Sequence, residues 1–371
     1  MLVVFAIHAA EPFNPWDSWH VVSPERSRLF GEIVFFPAPW IMPLFMVLAG
    51  EAAWRALERQ PGREYVRDRL LRIGLPLVAG ILVLVPPQVY LERRLRGEFD
   101  GSFLAFYPHF FDGIYPQGNL SWHHLWFLAF LLAFAVVTVP LFEWLRGPRG
   151  RAVLDRVGAL CDARGGLAWL LLPAVAFRVA VPLLLPVPAI AYDWSNRVLL
   201  LPAFVAGFVL AGEPRVRSAV DRHWRAALGV ALVLSAALCG WAWPGNVLTR
   251  LPHPRSAAGV LLWSAYACAA AAWVVALLGG ARRYLARPSG ALARASEMAY
   301  PFYVLHHGFI VAVAYAVVSS QTSLARQFLV VASVSLLATV GLCGIIASNP
   351  ALRVLFGLHT QRGPRASYER L

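Results

Sequence analysis

No lysine occurs anywhere in this 371-residue sequence: all 33 basic residues are arginine, against 20 acidic ones, for a net charge of +13. Charge of either sign is scarce, at 14% of residues, while 59% are hydrophobic and the mean hydropathy is +0.60. A soluble domain carries about 25% charged residues, so there are too few charges here to cover a water-facing surface. The same balance excludes a disordered chain and a nucleic-acid-binding domain, and no nucleic acid is expected as a partner. Cysteine is limited to Cys161, Cys239, Cys268 and Cys343. They form no CxxC and no pair spaced as metal ligands, so they indicate neither a disulfide framework nor a zinc site. No metal and no resident cofactor is expected. Internal repeats, low-complexity tracts and inverted pairs of interrupted segments are also missing.

What the sequence does have is apolar residues in long blocks. A helix rises ~1.5 Å per residue, so ~20 apolar residues cross a ~30 Å hydrocarbon core. Ten candidate segments follow, at roughly 1–10, 31–52, 70–90, 122–145, 167–188, 197–213, 225–243, 257–280, 299–319 and 327–347. The expected fold is all-α, a polytopic transmembrane helical bundle of about ten helices. It would form one transmembrane domain over 1–350 with a cytoplasmic C-terminal tail over 351–371. The first run starts at Met1 inside an apolar stretch and is too short to span, which reads as a first helix truncated at its N-terminus. It has neither the basic start nor the small-residue cleavage site of a signal peptide.

Arginine distribution orients the chain. Alternate connections, together with the C-terminal tail, hold 23 arginines, and the other loops hold nine. Arginine collects in cytoplasmic loops, so both termini are expected in the cytoplasm of a multi-pass protein of the cell's inner membrane, with membrane lipids around it. Arg93, Arg94 and Arg96 are the exception, falling on the outer side. The outer loop 91–121 is rich in aromatics, among them Phe103, Phe106, Tyr107, Phe110, Phe111 and Tyr115. It reads either as an interfacial aromatic belt or as a platform for stacking on a sugar.

Ionisable groups inside a span cost on the order of 2.5–3.5 kcal/mol at the centre, so each needs a reason. His8 sits in MLVVFAIHAA; a buried neutral imidazole can take a proton from an alcohol, although a lone histidine on an apolar face is more often an interhelical hydrogen bonder. Arg178, in LLPAVAFRVAVPLLLP, cannot shed its charge and must face an anion, a buried acid or a polar cavity. In AYPFYVLHHGFIV, Tyr303 and His306 are i, i+3 on one helix face, with His307 next along. In SWHHLWFLAF, His123, His124, Trp122 and Trp126 read as an interfacial cap with an aromatic girdle, or as part of a site. In RDRLLRIGLP, Arg69 and Arg72 are also i, i+3, and two guanidinium forks on one face can grip phosphates; the rival reading is positive-inside anchoring.

Five stretches together resemble the acyltransferase 3 family of integral membrane O-acyltransferases: VVFAIHAA with His8, IMPLFMVLAG at 41–50, RLLRIGLPL at 69–77, HLWFLAFLL at 124–132 and YPFYVLHHGFI at 300–310. They stand in the family's order over nearly the whole chain, and are most similar to the branch that succinylates periplasmic glucans. The resemblance implies about ten helices, an acyl-CoA donor and a sugar hydroxyl outside the cytoplasm as acceptor. It carries the family's first-helix histidine onto His8, its basic RxxR element onto Arg69 and Arg72, and its YxxH pattern onto Tyr303 and His306. The family's arginine, ten residues before that histidine, would fall upstream of Met1.

The reaction so implied moves an acyl group, succinyl or acetyl, from acyl-CoA as co-substrate to a glycan or oligosaccharide hydroxyl. His8 would be the general base or a transient acyl carrier. Arg178 would hold an oxyanion or a carboxylate on the acyl chain, and His306 would be a third catalytic residue. Arg69 and Arg72 would hold the donor's phosphates, and Tyr303, His124 and Trp126 would contact substrate. The competing reading is a transporter or flippase for an envelope glycan or lipid-linked sugar, in which His8 and Arg178 are substrate contacts or a proton relay. A third is a structural subunit of an envelope-glycan assembly.

Overall fold

The computed structural model describes residues 1–16, 19–163, 165–184, 197–243, 256–287 and 289–358. Among them the regular structure is helical throughout. In chain order the helices are α1 (Leu2–Ala10), α2 (Arg28–Phe35), α3 (Ile41–Leu57) and α4 (Gly62–Arg69). A π-helical turn over Leu70–Gly74 leads into α5 (Leu75–Val83), α6 (Val85–Leu95) and the short α7 (Phe103–Phe106). Next come α8 (Trp126–Val137), α9 (Val139–Arg146), α10 (Pro148–Asp162) and α11 (Gly166–Leu184). The last six are α12 (Leu201–Gly212), α13 (Pro214–Ala242), α14 (Ala257–Tyr284), α15 (Gly290–Val317), α16 (Leu324–Ser348) and α17 (Pro350–Leu355).

Among the described residues, five helices are long and apolar enough to cross a membrane: the continuous run Gly62–Leu95, α13, α14, α15 and α16. A sixth span results if His123–Val137 and Val139–Arg146, bent by 48° relative to each other, count as one. The bend has a local cause. Pro140 lacks an amide hydrogen and leaves the Val136 carbonyl without its i+4 donor, while the Thr138 hydroxyl adds a second bond, at 2.7 Å, to the Phe134 carbonyl that also accepts the Thr138 amide. The segment expected over 31–52 is likewise two helices, because Pro37 and Pro39 in the intervening turn cannot continue α2. Helix starts follow capping chemistry. Ser256 accepts from the Gly259 amide, Ser289 from that of Leu292, and Asn349 from those of Ala351 and Leu352 just before Pro350.

The chain divides into two compact units. The first comprises Met1–Phe5, Asp68–Ala129 and Pro288–Leu371; in it α15 packs against both α6 and α16. The second comprises Ala6–Arg67 and Phe130–Arg287; its main contacts are α13 on α14 and α3 on α12. The α3–α12 pair is close because of glycine. A Cβ on Gly50 would overlap the Phe204 carbonyl, and one on Gly207 the Val47 carbonyl. In a membrane, where water does not drive helices together, such backbone approach supplies the packing. Phe142 and Phe208 stack beside it, with ring centroids 3.6 Å apart.

Candidate functional site

In the first unit, α15 and the chain entering α8 hold a group of buried histidines. Residues His123–Leu125 form a 3₁₀ turn, and His123 has a φ of 41°, in the left-handed region. A non-glycine residue there is uncommon, and it turns the backbone so that His123 and His124 both point inward. They are 9% and 5% exposed. The expected interfacial cap is therefore corrected: both rings are packed inside the unit, His124 bonded to the Val304 carbonyl of α15 and His123 set against the rings of Tyr115 and His307.

The clasp between the two elements is reciprocal. The Tyr303 hydroxyl donates to the His124 carbonyl, and His124 Nε2–H donates to the Val304 carbonyl at 3.1 Å. Tyr303 and His306 do share a face, with ring centroids 5.9 Å apart, and His124 lies 5.6 Å from His306. His306 Nδ1 faces the Tyr303 carbonyl at 2.7 Å and the Phe302 carbonyl at 3.1 Å. Carbonyl oxygens only accept, so Nδ1 carries the proton and Nε2 the lone pair. Phe302 stacks on the His306 ring, and Phe5 of α1 lies against both. Trp126 begins α8 and meets Phe127 edge-on, which in turn meets Tyr303.

Four residues outside the expected site belong to this group. His307 stacks on His124, with centroids 4.5 Å apart and planes at 11°, and its Nδ1 meets Gln88 Oε1 at 2.7 Å. Glu92, one turn beyond Gln88 on α6, is fully buried. It accepts from the Tyr115 hydroxyl at 3.2 Å and pairs with Arg96 at 2.9 Å. Tyr115 lies 5.3 Å from His123. Burial, and then the Glu92 carboxylate beside it, push the Tyr115 phenol up to about 12, so it stays a hydrogen-bond donor at any physiological pH. The one available sequence signal was the presence of an amide and an acid near the end of an apolar span, where polarity is costly.

The outer loop folds onto its own arginine. Arg93 donates to Asn119 Oδ1 at 2.9 Å and to the carbonyls of Pro116 and Gly118 at 3.0 and 2.8 Å, and pairs with Glu98 at 2.6 Å. Phe106 and Phe110 are buried under the loop, while Leu104 and Ile114 are 82% and 77% exposed. Phe106 thus builds an internal cluster with Tyr90 and Phe99, and the outward apolar surface comes from Leu104, Phe111 and Ile114.

Near the other end of the run Gly62–Leu95, Asp68 holds both members of the basic pair, Arg72 Nε at 2.6 Å and Arg69 Nη2 at 3.1 Å. The π-helical turn that starts at Leu70 changes the helical phase between them, and single π turns recur at functional sites. Gly357 closes against this turn with a φ of 66°; a Cβ there would overlap the Arg72 carbonyl. Arg353 of α17 pairs with Glu297 at 2.6 Å and donates to the Ala347 carbonyl at 3.1 Å, which holds the segment in place.

The structure therefore brings Tyr303, His306 and His124 together, with Trp126 one ring away, and keeps Arg69 and Arg72 as a pair. His8 lies on α1, in the second unit. Arg178 falls on α11, and its side chain lies outside the described residues.

These features describe a multi-pass helical membrane protein with a polar, histidine-rich interior site, and its family is established by comparison. A family model described as an acyltransferase domain matches residues 1–348. The chain belongs to that family, acyltransferase 3. Among curated proteins it is similar to the glucans biosynthesis protein C of Salmonella paratyphi A, 26% identical over 203 residues, or 53% of this chain and 50% of that protein. It matches the proteins of the same name from Salmonella typhi and Salmonella typhimurium at 25% identity over the same shares. The chain thus spans about half the length of these curated relatives. No solved structure matches it.

Proposed function

We propose that the protein is a membrane-embedded O-acyltransferase that moves an acyl group, succinyl or acetyl, from acyl-CoA to a hydroxyl of an extracytoplasmic glycan. The observation that carries this reading is the long helix Gly62–Leu95. It bears a phosphate-suited arginine pair near one end and, through Gln88, a buried histidine group near the other. A guanidinium has five N–H donors, enough to serve Asp68 and a phosphate together. Family membership and the name of the relatives support the transferase chemistry and the glucan.

In this reading the acceptor oxygen attacks the thioester carbonyl while its proton passes to His8 as general base. The carbon–sulfur bond then breaks, and the proton returns to the departing CoA thiolate. Arg178 stabilises the oxyanion or holds a carboxylate on the acyl chain. His306 is a further catalytic residue, and Tyr303, His124 and Trp126 contact substrate. No resident cofactor or metal is invoked.

The test is reconstitution of the purified protein with succinyl-CoA or acetyl-CoA and a periplasmic glucan, followed by mass measurement of the glucan. A mass gain of one acyl group is expected, together with loss of donor affinity in Arg69→Gln/Arg72→Gln. Passage of unmodified glucan across the bilayer, with no mass gain from either donor, overturns the reading in favour of a transporter.

A further inference from the structure

The loop 91–121 and the long helix Gly62–Leu95 meet at a backbone carbonyl. The Tyr107 hydroxyl donates to the Leu82 carbonyl at 3.0 Å. Four residues on from Leu82 is Pro86, which has no amide hydrogen to offer that carbonyl. The depth of the contact can be read along the helix. Arg72 and Glu92 are the charged residues that bound its apolar stretch. At ~1.5 Å per residue they stand ~30 Å apart, the thickness of a hydrocarbon core. Leu82 lies midway between them in the chain, and the flank of the helix there is open, with Leu82 and Val83 both exposed. A tyrosine side chain is much shorter than the ~15 Å half-layer, so the backbone that carries Tyr107 also lies within the layer. The segment is suited to that place. Helix α7 continues into a 3₁₀ helix over Tyr107–Phe111. Ser102 accepts from the Ala105 amide, and the Asp112 amide donates to the His109 carbonyl. Local pairing of this kind is what membrane depth demands of a backbone. Phe106 and Phe110 are buried, while Leu104, Pro108 and Phe111, at i, i+4 and i+7, form an exposed stripe on another face. Beyond Tyr107 the chain climbs back: the His109 carbonyl accepts from Asn119, which is held by Arg93 next to Glu92.

We propose that residues 103–114 form an interfacial anchor whose Leu104, Phe111 and Ile114 sit among the acyl chains of membrane lipid. Lipid is the occupant because the stripe lies at the depth of the open helix flank at Leu82 and Val83, a surface that a spanning helix gives to acyl chains. A short helix with one apolar face buries that face at the headgroup–acyl boundary. The polar side of the segment, where His109 pairs with Asp112 at 2.8 Å, is left for the headgroups and water. A face held in acyl chains is closed to a soluble sugar, so the loop anchors and does not serve as a stacking platform. This placement depends on the chain spanning a membrane and not on the reaction it catalyses.

The experiment uses the full chain in nanodiscs of phosphatidylcholine that carries a photoactivatable diazirine in its acyl chain. After illumination, peptide mass measurement locates the attached lipid. Adducts are expected within 103–114 as well as on the open helix flank within 75–83. A water-soluble diazirine added to the same discs should mark 96–100 and spare Leu104 and Phe111. A charge is expelled from acyl chains, so Leu104→Asp/Ile114→Asp should exchange lipid labelling for aqueous labelling over 103–114 and leave 75–83 unchanged. Lipid adducts on 75–83 with none on 103–114 overturn the anchor, whether the segment is then marked from water or shielded by a second copy of the chain. An unchanged pattern in the double variant overturns it as well. If that variant does not accumulate, the pattern in the parent decides.

Discussion

At the scale of single residues, Glu213 gives the clearest energetic case. It caps α13, accepting from the Arg215 amide at 3.1 Å, and pairs with Arg215 Nε at 2.7 Å. Arg215 also reaches Asp155 at 3.2 Å. The hydrogen bond from Arg215 holds the Glu213 carboxyl below the usual carboxylate range. A carboxyl with a lower pKa folded than unfolded stabilises the fold at neutral pH, and that contribution fades as the pH falls through the folded value. The detergent-solubilised protein should therefore keep its thermal stability from pH 7 down to about pH 5 and lose it below that, as the pH falls toward the lowered folded value. Glu213→Gln should start lower at pH 7 and decline less; parallel declines would remove Glu213 from the account. For chemistry, the residue-scale prediction concerns His8. His8→Ala should lower kcat ~10²–10⁴-fold, the usual worth of a general base, and leave the KM for acyl-CoA unchanged. Near-parental turnover in a correctly inserted variant would exclude it as the base.

At the scale of elements, how much the sequence revealed depended on how local each feature was. The apolar runs that became α13, α14, α15 and α16 were visible because length and hydropathy suffice to define a span. Tyr303 and His306 could be paired because i, i+3 spacing is a property of one helix. Gln88 could not be matched to His307, nor Glu92 to Tyr115, since each partner comes from a distant stretch and a single sequence carries no pairing information. Nor could the burial of His123 and His124, which depends on a backbone conformation and on bonds to α15. The arginines at 93–96, which run against the sidedness count, also have a structural account. Arg93 is spent on four loop contacts and Arg96 on Glu92, while Arg94 donates to the Tyr90 hydroxyl at 3.0 Å. Arginines committed to folding a loop are poor reporters of topology. The element-scale prediction concerns the α3–α12 contact. Gly207→Leu should overpack it, at a cost of about 1–3 kcal/mol or more, and lower the thermal midpoint. Gly229→Ala, in α13 with nothing within 4 Å of its missing Cβ, should leave the midpoint unchanged or raise it. Equal effects of the two changes would show that close backbone approach does not hold that pair together.

At the scale of the whole molecule, the prediction is that donor and acceptor are used from opposite sides of the membrane. The argument runs along one helix. Gly62–Leu95 is 34 residues long, and at ~1.5 Å per residue the stretch from Arg72 to Gln88 rises roughly 24 Å, most of a ~30 Å hydrocarbon core. The basic pair therefore stands at one face while Gln88, His307 and the folded loop above them stand toward the other. By the arginine count along the sequence, Arg69 and Arg72 belong to one of the arginine-rich connections, the set expected to be cytoplasmic. A CoA carrying phosphates cannot follow its acyl group across such a layer, so only the acyl arm needs to travel inward. A neutral sugar hydroxyl, by contrast, can meet the histidine group from the loop side without passing a charge through lipid. In oriented proteoliposomes with acyl-CoA confined to the arginine-rich side and glucan to the other, acylated glucan should accumulate on the glucan side. Exchanging the two compartments should abolish product. Efficient transfer with both substrates held on one side would defeat the vectorial arrangement and leave the acyltransferase activity itself standing. It would also place the meeting point of thioester and hydroxyl close to one surface, at odds with the separation that this helix imposes between Arg72 and Gln88.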